Sequence, residues 1–242
     1  MSDEIILKTE NLTVEFDGNK ILNDLNFEVK KGDIMAVIGP NGAGKTVLFR
    51  ALLGIIPFKG KILWSNNVKI GYVPQKFTIG QDGGSLPLTV GEFMKYKGKR
   101  EEFIRSLELV GFKTNDGHHF IHHLLLKQIS TLSGGEIQKI LIAWAITENP
   151  NVLLFDEPTS GIDIGGEETI YGLIRKLNRQ MGITVIFISH DLHVIYKYAT
   201  GVLCLNKEKL CFGPPHEALD RESLAKLYGT EVNLYQHFEH KH

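Results

Sequence analysis

The strongest constraint in this sequence is a glycine-rich loop that lies between an apolar strand and a helix. Residues 39–46 have the sequence Gly-Pro-Asn-Gly-Ala-Gly-Lys-Thr, which matches the G-x-x-x-x-G-K-T pattern of phosphate-binding loops. The apolar run Ile34 to Ile38 predicts a buried strand before the loop, and Val47 to Leu53 predicts a helix after it. Glycines let the backbone N–H groups and the helix N-terminus approach an anion closely. The chain is therefore predicted to have an α/β fold with a nucleotide site.

Each residue of this loop is predicted to make its own contact with a nucleotide triphosphate. Lys45 adds a positive charge beside the β- and γ-phosphates, and Thr46 offers a hydroxyl to Mg²⁺. The other loop residues are expected to surround the phosphate oxygens: Gly39, Pro40, Asn41, Gly42, Ala43 and Gly44. ATP and Mg²⁺ are the predicted ligands.

A second predicted strand, Val152 to Phe155, ends in two acidic residues. Ligands of open α/β folds bind beyond the carboxyl ends of the strands. Asp156 is therefore expected to hold Mg²⁺, through water, and Glu157 to orient or deprotonate the attacking water. The alternative is that both acids are solvated turn residues. The phosphate loop favours the catalytic interpretation.

A third predicted strand, Thr184 to Ser189, ends at His190. A histidine in such a position is often only structural. On a strand beside Asp156, however, it would reach the γ-phosphate or the attacking water. We therefore expect His190 to belong to the catalytic group.

The segment Leu132-Ser133-Gly134-Gly135-Glu136 forms a small-residue turn at the start of a predicted helix. The helix N-terminus could bind an anion through its free N–H groups and its dipole. Equally, Ser133 and Glu136 have the spacing of a capping box, which would satisfy those N–H groups internally. The residues alone leave both interpretations open.

In this order the four motifs resemble the ATP-binding subunits of ATP-binding cassette (ABC) transporters, over nearly the full chain. The resemblance implies an α/β P-loop NTPase fold with a parallel-sheet core, an N-terminal antiparallel β subdomain and an inserted helical subdomain. It predicts one ATPase domain over residues 1–235, with the core at 1–75 and 150–220, the helical subdomain at 76–149, and a histidine-containing tail at 236–242.

The resemblance also implies a head-to-tail homodimer that encloses two ATP molecules. It assigns Ser133, Gly134 and Gly135 to the ATP of the partner copy and Asp163 to a loop that crosses the dimer interface. It assigns Phe16 to stacking on adenine.

The resemblance further assigns Gln75 to a loop that touches Mg²⁺ and reports nucleotide state to a membrane permease. One departure from relatives is the large aromatic residue of Ala143-Trp144-Ala145, where they commonly have arginine.

A narrower similarity connects the last third of the chain with bacterial zinc and manganese uptake ATPases. It lies in Gly161 to Asp163, in Ile188 to His193 and in Val202 to Asn206, which continues to Cys211-Phe212-Gly213. Glu136, in place of the usual glutamine, fits the same group. The predicted function is the ATPase subunit of a zinc importer, working with permease subunits and, indirectly, an extracytoplasmic metal-binding protein. Manganese or iron import, export, and a non-transport ABC ATPase are the alternatives.

Histidines form two clusters whose roles the sequence leaves open. If residues 116–124 are helical, two i,i+4 pairs result, a spacing that can chelate a metal. The alternative is a solvated helical stretch. A second group lies in the tail. The two clusters are His118, His119, His122 and His123, and His237, His240 and His242.

Composition limits the location and partners of the chain. The formal net charge of -1 argues against nucleic acid as a partner. No apolar run approaches the ~20 residues that cross a bilayer, and the acidic start Met1 to Glu4 lacks the features of a secretory signal. We therefore expect a peripheral protein at the cytoplasmic face of the cell membrane. Cys204 and Cys211 are expected to be small buried hydrophobic residues, neither a disulfide framework nor a metal site.

Overall fold

The computed structural model of the protein describes residues 3–75, 88–112, 119–158 and 164–228. The strands are β1 (Ile5–Phe16), β2 (Asn19–Lys30), β3 (Ile34–Ile38), β4 (Lys59–Trp64), β5 (Ile70–Val73), β6 (Val152–Asp156), β7 (Thr184–Ile188), β8 (Gly201–Asn206) and β9 (Glu208–Gly213). The helices are α1 (Lys45–Leu52), α2 (Val90–Lys95), α3 (Arg100–Leu109), α4 (His119–Leu126), α5 (Gly134–Ile146), α6 (Ile164–Met181), α7 (Leu192–Tyr198), α8 (Pro215–Ala218) and α9 (Arg221–Tyr228). Strands and helices alternate from β6 to β8, whereas four helices follow one another between β5 and β6.

A small antiparallel sheet, in the order β2-β1-β4, contains the N-terminal strands. The segments Ile5 to Thr9 and Leu12 to Phe16 are the two halves of the single strand β1. Asn11 between them has φ of 52°, and the pairing with β2 shifts register at this point. Asparagine tolerates this left-handed conformation, so the strand bulges and continues.

The large sheet has the order β5-β6-β7-β3-β8-β9, with β9 as its antiparallel edge strand. The other five strands are parallel. β3 lies between β7 and β8, although both follow it by well over a hundred residues. The predicted fold class, a parallel-sheet core with an antiparallel N-terminal sheet, is confirmed.

The apolar runs of the parallel strands are buried on both faces of the large sheet. Met35 and Val37 of β3 pack toward the small sheet and α1, whereas Ala36 and Ile38 pack with the helices on the opposite face. Alternate residues of a strand point to opposite faces. This explains why β3, β6 and β7 lack the apolar-polar alternation of a half-exposed strand.

Helices α2 to α5 follow one another in the chain between β5 and β6. Trp144 of α5 stacks on Phe93 of α2, with ring centroids 5.7 Å apart. The ammonium of Lys97 lies 4.5 Å from the Trp144 ring centroid and pairs with the Glu148 carboxylate. Trp144 therefore joins α2 to α5 through aromatic and cation–π contacts, at the position where relatives commonly have arginine.

The two cysteines depart from their predicted state. Cys204 of β8 and Cys211 of β9 are register partners, and they form a disulfide with Cα atoms 4.8 Å apart. The expectation of two unlinked buried residues was wrong because β9 turns back beside β8, which the sequence did not reveal. Cys204 is buried and Cys211 is half-buried.

No helix in the described ranges is long and apolar enough to cross a membrane.

Close packing of β5 against α5 depends on one glycine. A Cβ atom at Gly71 would lie 2.7 Å from the carbonyl oxygen of Ala145 and 2.6 Å from the Leu153 side chain. We predict that Gly71→Ala lowers the free energy of unfolding by about 1–3 kcal/mol, because a backbone atom in α5 must shift. Chemical denaturation measures this change.

Gly172 of α6 provides the matched control. A Cβ atom there meets nothing within 4 Å, so Gly172→Ala should raise stability by roughly 0.5–1 kcal/mol through helix propensity. Equal effects of the two substitutions would contradict the packing argument.

Candidate active site

Four predicted site segments follow four adjacent strands of the large sheet. Gln75 comes after β5, Glu157 after β6, His190 after β7, and the phosphate loop after β3. Since the carboxyl ends of parallel strands meet at one edge, these residues surround one cavity. Its volume is about 960 Å³. The lining residues are Ile21, Gly39, Pro40, Asn41, Gly42, Ala43, Gly44, Lys45, Thr46, Val47, Gln75, Glu157, His190 and Tyr228.

The phosphate loop packs tightly against neighbouring backbone. A Cβ atom at Gly39 would lie 2.0 Å from the carbonyl oxygen of Leu205, so only glycine fits there. Gly44 has φ of 96° and begins α1 without a side-chain cap, which leaves the first N–H groups of the helix to an outside acceptor. The Lys207 N–H donates to the Ala43 carbonyl at 3.1 Å, so the β8–β9 turn fixes the outer side of the loop.

Lys45 folds back over its own loop. Its Nζ donates to the carbonyl oxygens of Gly39 at 2.7 Å and Pro40 at 2.9 Å, and the residue is 9% exposed. Burial lowers the pKa of Lys45, whereas the Glu157 and Asp156 carboxylates act in the opposite direction. The two neutral carbonyls satisfy the Lys45 ammonium only in part. A phosphate group would supply the anionic partner that it lacks.

Asp156 lies beneath the cavity, at the end of β6, and is 3% exposed. The Thr46 hydroxyl donates to its Oδ1 at 3.4 Å. Burial raises the pKa of Asp156, the hydroxyl opposes that rise, and the charge of Glu157 adds to it. Hydroxyl and carboxylate oxygens are the hard ligands that Mg²⁺ requires. The oxygens of Thr46 and Asp156 therefore fit a magnesium site, and Gln75 lines the same cavity as Thr46.

Glu157 has an uncommon backbone conformation for a side chain of its size, with φ of 49°. Such left-handed residues carry a cost in free energy and cluster at functional sites. The Gln75 side-chain amide donates to Glu157 Oε2, which connects the ends of β5 and β6. The carboxylate is thereby held at the cavity wall.

His190 is exposed and lines the cavity between β7 and α7. Its neighbours fix the chain on both sides: Ser189 Oγ accepts from the Asp191 N–H at 3.1 Å. Asp191 then caps α7 by accepting from the N–H groups of His193 and Val194. The imidazole is thus left available to a ligand in the cavity.

Several predicted site residues lie elsewhere. Phe16, at the end of β1, is 42% exposed and is not among the residues that line the cavity. The segment Ser133 to Gly135 is also absent from the lining and begins α5. Asp163 lies outside the described residues.

The start of α5 has the geometry of a capping box. Ser133 Oγ accepts from the Glu136 N–H at 3.3 Å, and the Glu136 carboxylate accepts from the Ser133 N–H at 2.9 Å and its hydroxyl at 2.8 Å. These bonds with Ser133 lower the pKa of Glu136. The helix N-terminus therefore carries a carboxylate of its own.

Of the first histidine cluster, His118 lies outside the described residues, and His122 and His123 contact each other edge-on with ring centroids 6.4 Å apart. Over the ranges that the structure describes, no group of three or more His, Cys, Asp or Glu residues could hold a metal ion. The histidines of the tail also fall outside those ranges.

Sequence reasoning missed three residues of the cavity wall, Ile21, Val47 and Tyr228. Ile21 belongs to β2, which packs over the loop so that its carbonyl lies 3.0 Å from a Cβ position at Gly44. Tyr228 ends α9, which the apolar spacing of Leu224 and Leu227 could have predicted as a helix. No local pattern shows that this helix reaches the loop.

Removal of the buried charge at Asp156 should stabilise the protein in the absence of nucleotide. Because its pKa is raised, the folded protein binds this proton more tightly than the unfolded chain. Stability from this group is therefore complete below the ordinary pKa of 3.8 and is lost as the pH rises through the raised value. We predict that Asp156→Asn gains about 0.5–2 kcal/mol at pH 7.5 and that the gain disappears near pH 4.

Denaturant unfolding at both pH values measures the effect. Asp220→Asn is the control, because hydrogen bonds with Ser223 lower the pKa of Asp220, so it should give no gain at pH 7.5. A loss of stability in Asp156→Asn at pH 7.5 would contradict the desolvation argument.

Comparison with known proteins identifies the family to which the chain belongs. A model of the ABC transporter family matches residues 22–160. The zinc import ATP-binding protein ZnuC of Wigglesworthia glossinidia brevipalpis is 37% identical over 232 residues, which cover 93% of this chain and 94% of that protein. ZnuC 1 of Hahella chejuensis strain KCTC 2396 is 35% identical over 233 residues, or 96% of this chain and 87% of that protein.

Solved structures agree with the sequence comparison. A protein described as a metal-chelate type ABC transporter, in an inward-facing conformation, superposes with a TM-score of 0.80 at 29% identity. The match covers 93% of this chain and 89% of the other. The nucleotide motifs, the sheet order and these similarities agree, and the chain belongs to the ABC transporter family.

Proposed function

We propose that this chain is the ATP-hydrolysing subunit of an importer that takes up zinc. The observation that carries the proposal is the cavity at the carboxyl edge of the large sheet, where the phosphate loop meets Gln75, Glu157 and His190. The similarity to zinc import ATP-binding proteins over almost the whole chain supports zinc as the transported ion.

Binding of ATP would use the loop and the start of α1. The free N–H groups at Gly44 and after it would donate to phosphate oxygens. Lys45 would exchange its two carbonyl acceptors for the β- and γ-phosphates. Phe16 is solvent-exposed, so its ring would be accessible for stacking on adenine.

Thr46, Asp156 and Gln75 would hold Mg²⁺, which supplies positive charge beside the β- and γ-phosphate oxygens when bound. The hydroxyl of Thr46 already lies against the carboxylate of Asp156. One cation would therefore be bound by the Thr46 hydroxyl and, through water, by the Asp156 carboxylate.

Hydrolysis would proceed by attack of a water oxygen on the γ-phosphorus, with cleavage of the bond to the β–γ bridging oxygen. The Glu157 carboxylate would orient that water and accept its proton. The amide of Gln75, bonded to the same carboxylate, would fix its orientation. His190 would contact the γ-phosphate from the end of β7.

A second copy of the chain would complete each site. Ser133, Gly134 and Gly135 do not line the cavity of their own chain, which supports a head-to-tail homodimer in which they face the ATP of the partner copy. ATP binding would favour the closed pair, and loss of the γ-phosphate would weaken it. Asp163 would lie at the same interface.

Membrane permease subunits would couple this closure to transport, with an extracytoplasmic metal-binding protein as an indirect partner. The loop that begins at Gln75 would transmit the nucleotide state, because Gln75 contacts the catalytic carboxylate directly. The protein would therefore act as a peripheral subunit at the cytoplasmic face of the membrane. No nucleic acid is required.

Removal of the proton acceptor should separate binding from hydrolysis. We predict that Glu157→Gln lowers the ATP hydrolysis rate by a factor of about 100 to 10,000 and accumulates an ATP-bound dimer. Glu148→Gln, which removes only an ion pair with Lys97, should behave like wild type. Sedimentation with and without ATP distinguishes the variants. A Glu157→Gln protein that stays monomeric in saturating ATP would count against the dimer.

Uptake of metal tests the transport function directly. In cells that lack this chain, we expect accumulation of radioactive zinc to fall, and wild type but not Glu157→Gln to restore it. Loss of manganese uptake alone would make zinc the wrong ion. Unchanged uptake of both metals would contradict import and favour an exporter or a non-transport ATPase.

A further inference from the structure

Tyr171 lies on the buried face of α6, together with Ile174 and Leu177. It is 2% exposed, and its ring contacts two other aromatic rings. The centroid of the Phe187 ring, in β7, is 5.5 Å away, and that of Tyr198, at the end of α7, is 5.9 Å away. Such contacts are at the usual spacing of aromatic pairs. The packing of the ring therefore determines where the phenol oxygen lies.

The hydroxyl of Tyr171 donates to Ser189 Oγ at 3.4 Å. Ser189 is 4% exposed, so this bond joins two buried groups. Buried hydroxyls in proteins are nearly always hydrogen-bonded. The bond connects α6 to the residue that comes directly before His190.

Ser189 forms a turn around His190. Its Oγ also accepts from the Asp191 N–H at 3.1 Å, and such a bond to the residue two positions on closes a serine turn over the residue between them. The Ser189 N–H donates to the carbonyl of Val37 at 3.3 Å. The turn is thus attached to β3, the strand that leads into the phosphate loop.

The hydroxyl of Tyr171 adds a specific constraint to this turn. A phenylalanine ring would pack against Phe187 and Tyr198 in the same way, but it would have no donor for Ser189. A serine oxygen has two acceptor lone pairs, and here it accepts from the phenol and from the Asp191 N–H. Two donors on different elements restrict the rotation of the Ser189 side chain more than one donor does.

We propose that Tyr171 is a positioning residue for ATP hydrolysis: its hydroxyl fixes Ser189 Oγ and thereby the turn that presents His190 to the cavity. The inference rests on the proposed function, since it assumes that His190 contacts the γ-phosphate. Tyr171 is not among the residues that line the cavity, whereas His190 is. Tyr171 therefore acts through Ser189 and affects the hydrolysis of bound ATP more than the binding of nucleotide.

The test uses the full chain with the phenol hydroxyl removed. We expect Tyr171→Phe to lower kcat for MgATP about 2- to 5-fold, the lower part of the range for one neutral hydrogen bond, because the bond is long. KM for ATP should stay within about twofold of wild type. The MgADP dissociation constant should be unchanged, because ADP has no γ-phosphate for His190 to contact. Steady-state hydrolysis and titration calorimetry with MgADP measure these quantities.

Ser189→Ala shows whether the effect passes through the serine. This substitution removes both hydrogen bonds of Oγ and should lower kcat at least as much as Tyr171→Phe. In the double variant, Tyr171→Phe should cause no further loss, because the acceptor of its hydroxyl is already gone. Losses that multiply in the double variant would overturn the inference.

Tyr196 provides a matched control on α7, the helix that follows His190. Its hydroxyl donates to the Leu219 carbonyl at 3.2 Å, and the residue does not line the cavity. Tyr196→Phe removes a comparable hydrogen bond. It should lower the melting temperature slightly and leave kcat unchanged. A purely structural role of Tyr171 would give this same pattern.

The remaining outcomes separate the inference from the proposed function. An unchanged kcat in Tyr171→Phe would overturn the inference. A loss of kcat with an equal loss of MgADP affinity would also overturn it, because the effect would then reach the phosphate loop. If His190→Ala hydrolyses ATP as wild type does, the proposed role of His190 fails, and the inference fails with it. If His190→Ala loses hydrolysis but Tyr171→Phe does not, only the inference about Tyr171 fails.

Discussion

The conformation of the phosphate loop is the constraint on which the candidate site depends. The loop is held both by hydrogen bonds among its own residues and by contacts with neighbouring segments. Lys45 bonds to two carbonyls of the loop itself, Lys207 donates to Ala43, and Leu205 lies so close to Gly39 that no side chain fits. Because β8 and its turn into β9 supply the last two contacts, the loop is shaped by a segment far along the chain as well as by its own glycines. The cavity and the start of α1 both take their positions from this arrangement.

Burial of Lys45 and Asp156 away from water determines the electrostatics of the site. Burial lowers the pKa of Lys45 and raises that of Asp156, so burial disfavours the charged form of both groups. Each stabilises the other only weakly, because Asp156 bonds to the Thr46 hydroxyl and Lys45 to carbonyls. A ligand that brings both anionic oxygens and a divalent cation would satisfy the two groups at once. Lys45 and Asp156 are thus two buried ionisable groups whose best partners would be the groups of a bound ligand.

The sequence predicted correctly those features that depend on residues close together in the chain. Apolar runs fixed the ends of β3, β6 and β7, and parallel pairing then brought Asp156, Glu157 and His190 beside the loop. Features that depend on distant packing were not predictable. The disulfide needed the return of β9 beside β8, and the contribution of Tyr228 needed the docking of α9. The predicted roles of Ser133 to Gly135 stay predictions, because this segment does not line the cavity of its own chain.

The place of β3 in the large sheet has a consequence for biosynthesis. Ala36 pairs with Phe187 on one side and with Val202 on the other, separations of 151 and 166 residues. At a synthesis rate of about 5–20 residues per second, β3 waits roughly 8 to 30 seconds for its first neighbour. Both of its edges are unpaired during that interval, which is the condition under which nascent chains aggregate or recruit chaperones. The strand that carries the nucleotide loop is therefore made early and becomes protected late, which makes it the segment most exposed to misfolding while the chain is being made.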